Sequence, residues 1–344
     1  MKHINIPIFI PHLGCPNQCI FCNQRHISGT FEFALDSVRD TIEKTLSTVD
    51  FGDECEIAFF GGSFTGIDRG LMVTLLDIAE EYVRAGKVVG IRMSTRPDYI
   101  SQEIIDVLKD YTVTVVELGI QSMNDKVLAY LKRGHTVADT VHATKMLNKN
   151  GIPFVGQMMV GLPTATVEDE VYCAEQICRL GAVASRIYPT VVFKQTELES
   201  LTRCGEYTAL SIDEAVERSA AALRVFNDNG VNCIRIGLSD SESLHSNETY
   251  VDGPNSPSIG EMVKSQLILE EIKALIKMDA QNGVKCTGKT LHIECRKGLV
   301  SQVIGHKRKN LNELKQIYGF KDIKVTENPS LDFQTKIVIK EENS

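Results

Sequence analysis

The stretch Gly14-Cys15-Pro16-Asn17-Gln18-Cys19-Ile20-Phe21-Cys22 places three cysteines within eight residues, directly after a β-branched run near the start of the chain. The other cysteines are scattered, so the pattern does not indicate a secreted disulfide framework. A loop with this spacing can wrap three thiolates around one corner of an iron–sulfur cube. Three ligands for four irons leave one iron open to a substrate or cofactor.

The same residues are also compatible with a different metal, zinc. Three cysteines with His26 close behind them also satisfy zinc, in a closed site with three sulfur ligands and one nitrogen ligand. A structural zinc site usually braces a small unit that lacks a core, whereas this loop follows the first predicted strand of a long chain. The position of the loop therefore favours the iron–sulfur interpretation.

The composition is that of an ordinary globular protein. The 344 residues are 43% hydrophobic and 24% charged, which excludes disorder, collagen and coiled coil for the chain as a whole. The apolar run Ile4–Ile10 is far shorter than the ~20 residues of a membrane span and lacks the cleavage pattern of a signal peptide. We therefore expect a cytoplasmic protein with no membrane partner.

Short β-branched runs alternate with amphipathic stretches over the first two thirds of the chain, which predicts parallel βα units. Strands are predicted at Asn5–Pro11, Glu56–Phe60, Val88–Met93, Thr114–Leu118, Phe154–Val160 and Arg186–Val192, with a further strand at Cys233–Leu238. Helices are predicted at Ala34–Thr48, Gly70–Ala85, Gln102–Lys109, Asn124–Leu131, Ala138–Asn148, Thr166–Leu180 and Ser211–Asn229. The fold class is α/β, a partial or complete parallel (β/α) barrel, and such barrels carry their chemistry at the carboxyl ends of the strands.

The rest of the chain predicts an appendage to the barrel. We expect the barrel over residues 1–240, a helical extension over 241–284 that contains a long helix at Ile259–Met278, and a small α+β module over 285–344. In the module, strands are predicted at Thr290–Cys295, Ile323–Thr326 and Lys336–Ile339, with a helix at Val300–Tyr318. The module has 12 Lys and Arg against 7 Asp and Glu, a net charge of +5, and the remaining 25 against 38 give the body −13. The basic module is therefore the part suited to a polyanion.

The CxxxCxxC spacing with an aromatic residue, Phe21, before the last cysteine resembles the signature of radical S-adenosylmethionine (SAM) enzymes. The resemblance implies a [4Fe–4S] cluster on Cys15, Cys19 and Cys22, with SAM bound to the open iron. It also implies an external electron donor for the cluster and cleavage of SAM to a 5′-deoxyadenosyl radical that abstracts a substrate hydrogen. The cofactors carry the difficult chemistry, and the protein orients them.

The same resemblance implies a set of cofactor-binding residues near the strand ends. Gly61 and Gly62 would hold the methionine amino group, Arg133 would pair with its carboxylate, and Gln157 would face the ribose. The full implied set is Phe21, Gly61, Gly62, Ser63, Ser94, Gln121, Arg133, Gln157 and Arg186. Without the resemblance, the paired glycines would indicate a tight turn and Ser94 a helix cap. No general base or radical-relay residue is indicated.

Within that superfamily, the segment Arg186-Ile187-Tyr188-Pro189-Thr190-Val191-Val192 and the later Gly205-Glu206-Tyr207 resemble the catalytic subunit of Elongator, which modifies the wobble uridine of transfer RNA. The resemblance covers about 240 residues, the radical part. The Elongator subunit spaces its first two cluster cysteines farther apart. After residue 240 we find no motif of the acetyltransferase domain, so uridine carboxymethylation is not implied.

The run Val303–Leu311 resembles the helix-loop-helix of KH RNA-binding domains, whose GxxG loop clamps phosphates. Arg308 stands where that loop has its second glycine. A side chain there would obstruct a close phosphate approach, but it could make a charged contact itself. We therefore expect transfer RNA or another RNA as partner, with a docking or dimerisation role for the module as the alternative.

The sequence thus predicts a radical SAM enzyme that acts on RNA. Two competing hypotheses remain at this point. The first is the same chemistry on a small molecule such as a tetrapyrrole, for which the acidic body and the compact cysteine spacing would suffice. The second is a non-enzymatic RNA-binding protein braced by zinc.

Overall fold

The computed structural model describes residues 3–10, 15, 19–23, 33–50, 52–238, 249–331 and 334–340. The chain divides into two compact units, residues 1–255 and residues 256–344.

The first unit is built on one sheet of seven parallel strands, and it confirms the predicted α/β partial barrel. The strands are β1 (His3–Phe9), β2 (Glu54–Phe60), β3 (Gly90–Thr95), β4 (Val113–Gln121), β5 (Phe154–Val160), β6 (Ala184–Pro189) and β8 (Asn232–Ile236). They lie in the order β1-β2-β3-β4-β5-β6-β8, so each strand pairs with the next of these strands along the chain. In this sheet β1 and β8 are the two edges, and the seven strands form an open, curled half-barrel. All seven carboxyl ends therefore meet at one rim.

Amphipathic helices connect the strands, and all of them except the one at Glu197–Arg203 correspond to a predicted helix. They are α1 (Ser37–Leu46), α2 (Arg69–Arg84), α3 (Gln102–Leu108), α4 (Asp125–Tyr130), α5 (Val137–Lys149), α6 (Val167–Arg179), α7 (Glu197–Arg203) and α8 (Ile212–Asp228). Three of them begin with a capping box, in which a hydroxyl side chain and an acidic side chain three residues later satisfy the free N–H groups of the first turn. These pairs are Thr136 with Asp139, Thr166 with Asp169 and Ser211 with Glu214.

The predicted strand Arg186–Val192 is wrong in its second half. β6 ends at Pro189, and Thr190 turns back to donate both its N–H and its hydroxyl to the carbonyl of Val160, at 2.9 and 2.8 Å. A separate short strand, β7 (Val192–Phe193), then pairs antiparallel with β9 (Tyr250–Asp252). Pro189 has no N–H to donate, so β6 cannot continue its pairing through this residue on the β8 side.

The second unit packs one long helix and two short ones against a three-stranded sheet. Its elements are α9 (Ile259–Gln281), β10 (Thr290–Cys295), α10 (Val300–Ile304), α11 (Lys309–Tyr318), β11 (Asp322–Glu327) and β12 (Thr335–Lys340). β10 is the central strand, parallel to β11 and antiparallel to β12. Helix α9, expected in a separate extension, shares one apolar core with the module through Ile268 and Ile272. The predicted domain boundaries at residues 240 and 284 stay predictions.

The helix predicted at Val300–Tyr318 is interrupted after Ile304, within the run Val303–Leu311 that resembles a helix-loop-helix. Gly305 has φ +80°, and a Cβ atom there would lie 2.7 Å from the side chain of Asn310. The buried Asn310 amide donates to the carbonyls of Gln302 and Val303 at 3.0 and 3.3 Å, which fixes the break.

No helix among the described residues is long and apolar enough to cross a membrane.

Candidate cofactor site

The cysteine-bearing segment after β1 is fixed by two neighbouring helices. The N–H of Ile20 donates to the carbonyl of Leu131 at 3.2 Å, and the carbonyl of Ile20 accepts from the N–H of Leu198 at 2.8 Å. The Ile20 side chain is buried with those two leucines, and Phe21 packs half-buried against the same apolar cluster. The N–H of Cys22 donates to the carbonyl of Cys19 at 3.0 Å. The last two cysteines therefore lie on a tight turn that packing holds in place.

The first cysteine lies beside the loop that follows β2. The Cys15 sulfur is 3.4 Å from the hydroxyl oxygen of Ser63, which is almost fully buried. The same loop contains Gly61, which has φ +102°. A Cβ atom at Gly61 would also lie 3.2 Å from the backbone nitrogen of Ile10, so only glycine lets the two loops come this close. The predicted Gly-Gly-Ser segment and the first cysteine are therefore neighbours.

The second cysteine lies beside a buried arginine. Arg133 donates from Nη1 to the Cys19 sulfur at 3.4 Å and from Nη2 to the carbonyl of Gly119, in β4, at 2.9 Å. Its Nε has no partner, and among the described residues no carboxylate pairs with it. A buried cation without a counter-charge is costly, so this geometry fits an anionic group bound beside Cys19. Gln121, also in the predicted set, is buried with φ +67° and an unpartnered Oε1.

A second buried arginine follows β3. Arg96 donates from Nε and Nη2 to the carboxylate of Asp98 at 2.9 and 2.7 Å, while its Nη1 has no partner. Burial opposes the charge of Arg96, but Asp98 and, with smaller effects, the thiolates of Cys19 and Cys15 raise its pKa above the ordinary value. The guanidinium is thus within electrostatic reach of the same cysteines. Arg96 is not in the set of cofactor-binding residues that the resemblance implies.

The loop that carries Arg96 is fastened to the loop after β2. The hydroxyl of Thr65 lies 2.7 Å from the hydroxyl of Thr95 and donates to the carbonyl of Tyr99 at 2.9 Å. Ser94, from the predicted set, lies one residue before Thr95 and is in register with Glu117 of β4. The hydroxyls of Thr65 and Thr95 therefore link two rim loops, a role that the sequence did not reveal.

His135 is a third basic side chain at this rim. It is buried, and neither ring nitrogen makes a hydrogen bond of normal geometry, although the backbone of Ile120 interacts with the ring and opposes the lowering of its pKa. Burial, followed by the positive charges of Arg133 and Arg96, lowers its pKa to about 3. The imidazole is therefore neutral at physiological pH, and it adds no charge to a rim that already holds Arg133 and Arg96.

One level below the rim, charged side chains alternate across the inner face of the half-barrel. Glu56 of β2 accepts from Nε of Arg92 at 2.8 Å, and Nη1 of Arg92 donates to Glu117 of β4 at 3.0 Å. Arg186 of β6 then donates to Glu117 at 2.7 Å. These four residues are called the charged belt below. Gln157 of β5 joins it by donating its amide N–H to Glu117 at 2.8 Å.

The belt could have been suspected from the sequence. Its residues lie inside the predicted strands or directly at their ends, where charged side chains are rare unless they are paired. Of the belt and its neighbour, only Gln157 and Arg186 belong to the set that the resemblance implies. Tyr207 was also missed as a positioning group, although its buried hydroxyl donates to the carbonyl of Gly161 at 2.7 Å and fixes the turn after β5.

Among the residues that the structure describes, no three His, Cys, Asp or Glu side chains converge where a single metal ion would bind. A zinc ion holds every sulfur ligand about 2.3 Å from one centre. An iron–sulfur cube takes each thiolate on a different iron, so its cysteines need not converge on one point. His26, the predicted fourth zinc ligand, lies outside the described residues.

Comparisons with known proteins agree with this geometry. Residues 9–175 match the model of the Radical SAM superfamily, and residues 183–268 match the Radical_SAM C-terminal domain. An uncharacterized protein of Methanocaldococcus jannaschii is 32% identical over 62% of this chain and 69% of its own length. A tRNA uridine(34) acetyltransferase of the same organism is 27% identical over 63% of this chain, and the match spans 38% of that enzyme.

The solved structure of an archaeal Elp3 from Methanocaldococcus infernus has a similar fold, with a TM-score of 0.63 at 23% identity. The similarity covers 80% of this chain and 64% of that one. The chain belongs to the radical SAM superfamily. It is a radical SAM enzyme, and its cofactors are a [4Fe–4S] cluster and SAM.

Proposed function

We propose that Cys15, Cys19 and Cys22 hold the cluster at the rim of the half-barrel and that the enzyme modifies transfer RNA. The observation that carries the cluster assignment is the contact of Arg133 with Cys19, a buried cation that lacks any described carboxylate partner. Thiolates on iron, together with an anionic ligand, supply the missing counter-charge. When bound, the cluster and SAM supply a one-electron cleavage that yields a 5′-deoxyadenosyl radical.

In this proposal, different residues of the rim and the inner face bind different groups of SAM. Arg133, with its free Nε, pairs with the SAM carboxylate, and the Gly61–Ser63 segment receives the amino group. Gln157 and Arg186 lie deeper, on the inner face, where the adenosyl group is oriented. The apolar packing of Ile20 closes the outer side of the cysteine turn and keeps water from that side of the cluster.

Support for transfer RNA as the substrate comes from the named relatives, which act on uridine 34 of transfer RNA. The match spans 38% of the length of the first of these enzymes, so their acetyl transfer is not assigned to this chain. The group transferred is left open. The proposal is limited to hydrogen abstraction from an RNA nucleoside.

The loop between α10 and α11 is the proposed RNA contact of the second unit. His306, Lys307, Arg308 and Lys309 are consecutive, basic and exposed. Lys307 and Arg308 both have left-handed backbones, with φ of +50° and +63°. Arg308 thus adopts the conformation that glycine provides in a GxxG loop, and it adds a charge that suits a phosphate.

The substrate proposal is tested by the yield of 5′-deoxyadenosine from the reconstituted enzyme under anoxic conditions. Addition of bulk transfer RNA should raise the yield severalfold, whereas transfer RNA already modified by the enzyme should not. A tetrapyrrole such as coproporphyrinogen III serves as the competing substrate. Stimulation by the tetrapyrrole and not by RNA would contradict the proposal.

The loop proposal is tested by RNA binding at several salt concentrations. The triple variant Lys307→Glu/Arg308→Glu/Lys309→Glu should lose most of its affinity for transfer RNA, together with most of its salt dependence. The matched control is Lys285→Glu/Arg296→Glu/Lys297→Glu, which makes the same change in charge at other exposed residues of the unit. Equal losses in the two variants would show a general charge effect and would contradict a contact at the loop.

A further inference from the structure

Arg96 is a buried cation that its own loop, after β3, fixes in place. Its side chain is 2% exposed. Nε and Nη2 donate to the two carboxylate oxygens of Asp98 at 2.9 and 2.7 Å, and the guanidinium carbon lies 5.4 Å from the centre of the Tyr99 ring. One edge of the guanidinium is thus occupied, whereas Nη1 has no hydrogen-bond partner in the described part of the chain.

On one side, the loop of Arg96 is joined to the neighbourhood of the first cysteine. The hydroxyl oxygen of Thr95, the preceding residue, lies 2.7 Å from that of Thr65. Thr65 follows by two residues Ser63, whose hydroxyl oxygen is 3.4 Å from the Cys15 sulfur. A short chain of buried hydroxyl contacts therefore links the backbone that carries Arg96 to the loop beside Cys15.

On the other side, the same loop approaches the neighbourhood of the second cysteine. A Cβ atom at Gly119 would lie 3.6 Å from the carbonyl oxygen of Thr95 and 2.6 Å from Nη2 of Arg133. Arg133 itself donates to the Cys19 sulfur at 3.4 Å. The backbone beside Arg96 is therefore close to Gly119, and through it to the guanidinium that contacts Cys19.

The ion pair of Arg96 with Asp98 is unequal in its exposure to water. The Asp98 side chain is 24% exposed, so solvent screens its charge, whereas the guanidinium is enclosed by protein. Burial opposes the charge of Arg96, but Asp98 and the thiolates of Cys19 and Cys15 together raise its pKa. The buried side of the pair is therefore positive, and it is the side without a counter-charge.

We propose that Arg96 raises the reduction potential of the cluster, acting through space from the loop after β3. The inference rests on the proposed function, because it takes Cys15, Cys19 and Cys22 to hold the cluster. Reduction places one electron from the external donor on the cluster and moves no proton, so the site gains one negative charge. A fixed cation in a medium of low dielectric constant stabilises the reduced state more than the oxidised one.

The experiment is an anoxic redox titration of the reconstituted protein without SAM, followed by the electron paramagnetic resonance signal of the reduced cluster. In Arg96→Gln the ratio of reduced to oxidised cluster at a fixed potential should fall about tenfold, which corresponds to a midpoint about 59 mV lower. Arg96→Lys retains the charge and should recover most of the native ratio. Omission of SAM keeps any change in SAM binding out of the measurement.

A second variant changes the same ion pair in the opposite sense. Asp98→Asn removes the anion that partly neutralises Arg96, so the ratio of reduced to oxidised cluster should rise severalfold. The matched control is Arg39→Gln, which removes one positive charge from an exposed pair of the same two-bond geometry, with Glu81 at 2.7 and 2.9 Å. Because water and salt screen an exposed charge, the control should change the ratio by less than about twofold.

The possible results separate the inference from the proposed function. A native ratio in Arg96→Gln, an equal fall in Arg39→Gln, or an Arg96→Lys variant that behaves like Arg96→Gln would each overturn the inference while the cluster assignment stands. Iron content is measured for every variant, and if Arg96→Gln holds no iron, the absence of a rise in Asp98→Asn overturns the inference instead. A native protein that holds no reducible cluster would overturn the proposed function, and the inference with it.

Discussion

The guanidinium of Arg133 lies 3.4 Å from the sulfur of Cys19, although 114 residues separate the two in the chain. The contact joins the segment after β1 to the segment after α4, and the carbonyl of Gly119 anchors the other side of the guanidinium at 2.9 Å. Because no described carboxylate neutralises Arg133, the rim is prepared for an anionic ligand beside the thiol.

The space for Arg133 exists only because residue 119 is glycine. A Cβ atom there would lie 2.6 Å from Nη2 of Arg133, so Gly119→Ala should displace the guanidinium. We expect the variant to retain its iron, because the cysteines are unchanged, and to bind SAM at least about tenfold more weakly. Iron content and SAM affinity should both be measured for the variant and for the native protein.

Gly156→Ala is the control for crowding, since its Cβ would meet the apolar side chain of Ile177 at 2.5 Å. That variant should be destabilised with little change in SAM affinity. Comparable SAM binding by the two folded variants would argue against a role for Arg133 in holding the carboxylate.

His135 should make the protein sensitive to mild acid. Its pKa of about 3 in the folded protein lies below the unfolded value of about 6.5, so the unfolded state binds a proton first as the pH falls. The stability due to the neutral imidazole is complete above pH 6.5 and is lost as the pH falls toward 3. Between pH 7.5 and 5 this amounts to about 2 kcal/mol.

The test is urea unfolding of the native protein and of His135→Gln at both pH values. The native protein should lose about 2 kcal/mol more than the variant over this interval. Identical pH dependence in the two proteins would show that His135 is protonated as readily in the folded state as in the unfolded one.

Tyr207 should stabilise the turn after β5. Its buried hydroxyl donates to the carbonyl of Gly161, which has φ +76°. Tyr207→Phe leaves that carbonyl unpaired and should cost about 1–2 kcal/mol in the free energy of unfolding. Tyr172→Phe, at a side chain that is 49% exposed, should cost close to nothing and serves as the control in the same urea titration. Equal stability of the two variants would be inconsistent with a structural hydrogen bond at Gly161.

Arg308 should lower the stability of the protein and raise its affinity for RNA. Its left-handed backbone is strained for a residue with a side chain, so Arg308→Gly should raise the stability of the protein by about 1 kcal/mol. The same change removes a charge and should weaken RNA binding. Arg308→Ala keeps the strain and loses the charge, so it should weaken binding without the gain in stability. Native RNA affinity in both variants would mean that Arg308 does not contact RNA.

The sequence predicted the half-barrel because each strand has a clear run of β-branched residues and each helix has its apolar period. It failed where short-range geometry decides, as at Pro189 and Gly305, which end elements that the hydrophobic pattern would continue. The cysteine spacing and the glycine pair indicated the rim in advance. The partners of Arg133 and Glu117 were beyond the sequence, because such contacts depend on which strands become neighbours and on their register.

The most direct test of the central claim is the formation of 5′-deoxyadenosine by the anoxically reconstituted protein with dithionite and SAM, compared with the triple variant Cys15→Ala/Cys19→Ala/Cys22→Ala. We predict a brown native protein with about four irons that forms the product, and a colourless variant that does not. A native protein that holds iron and SAM but forms no 5′-deoxyadenosine, or a triple variant that forms as much as the native protein, would contradict the account.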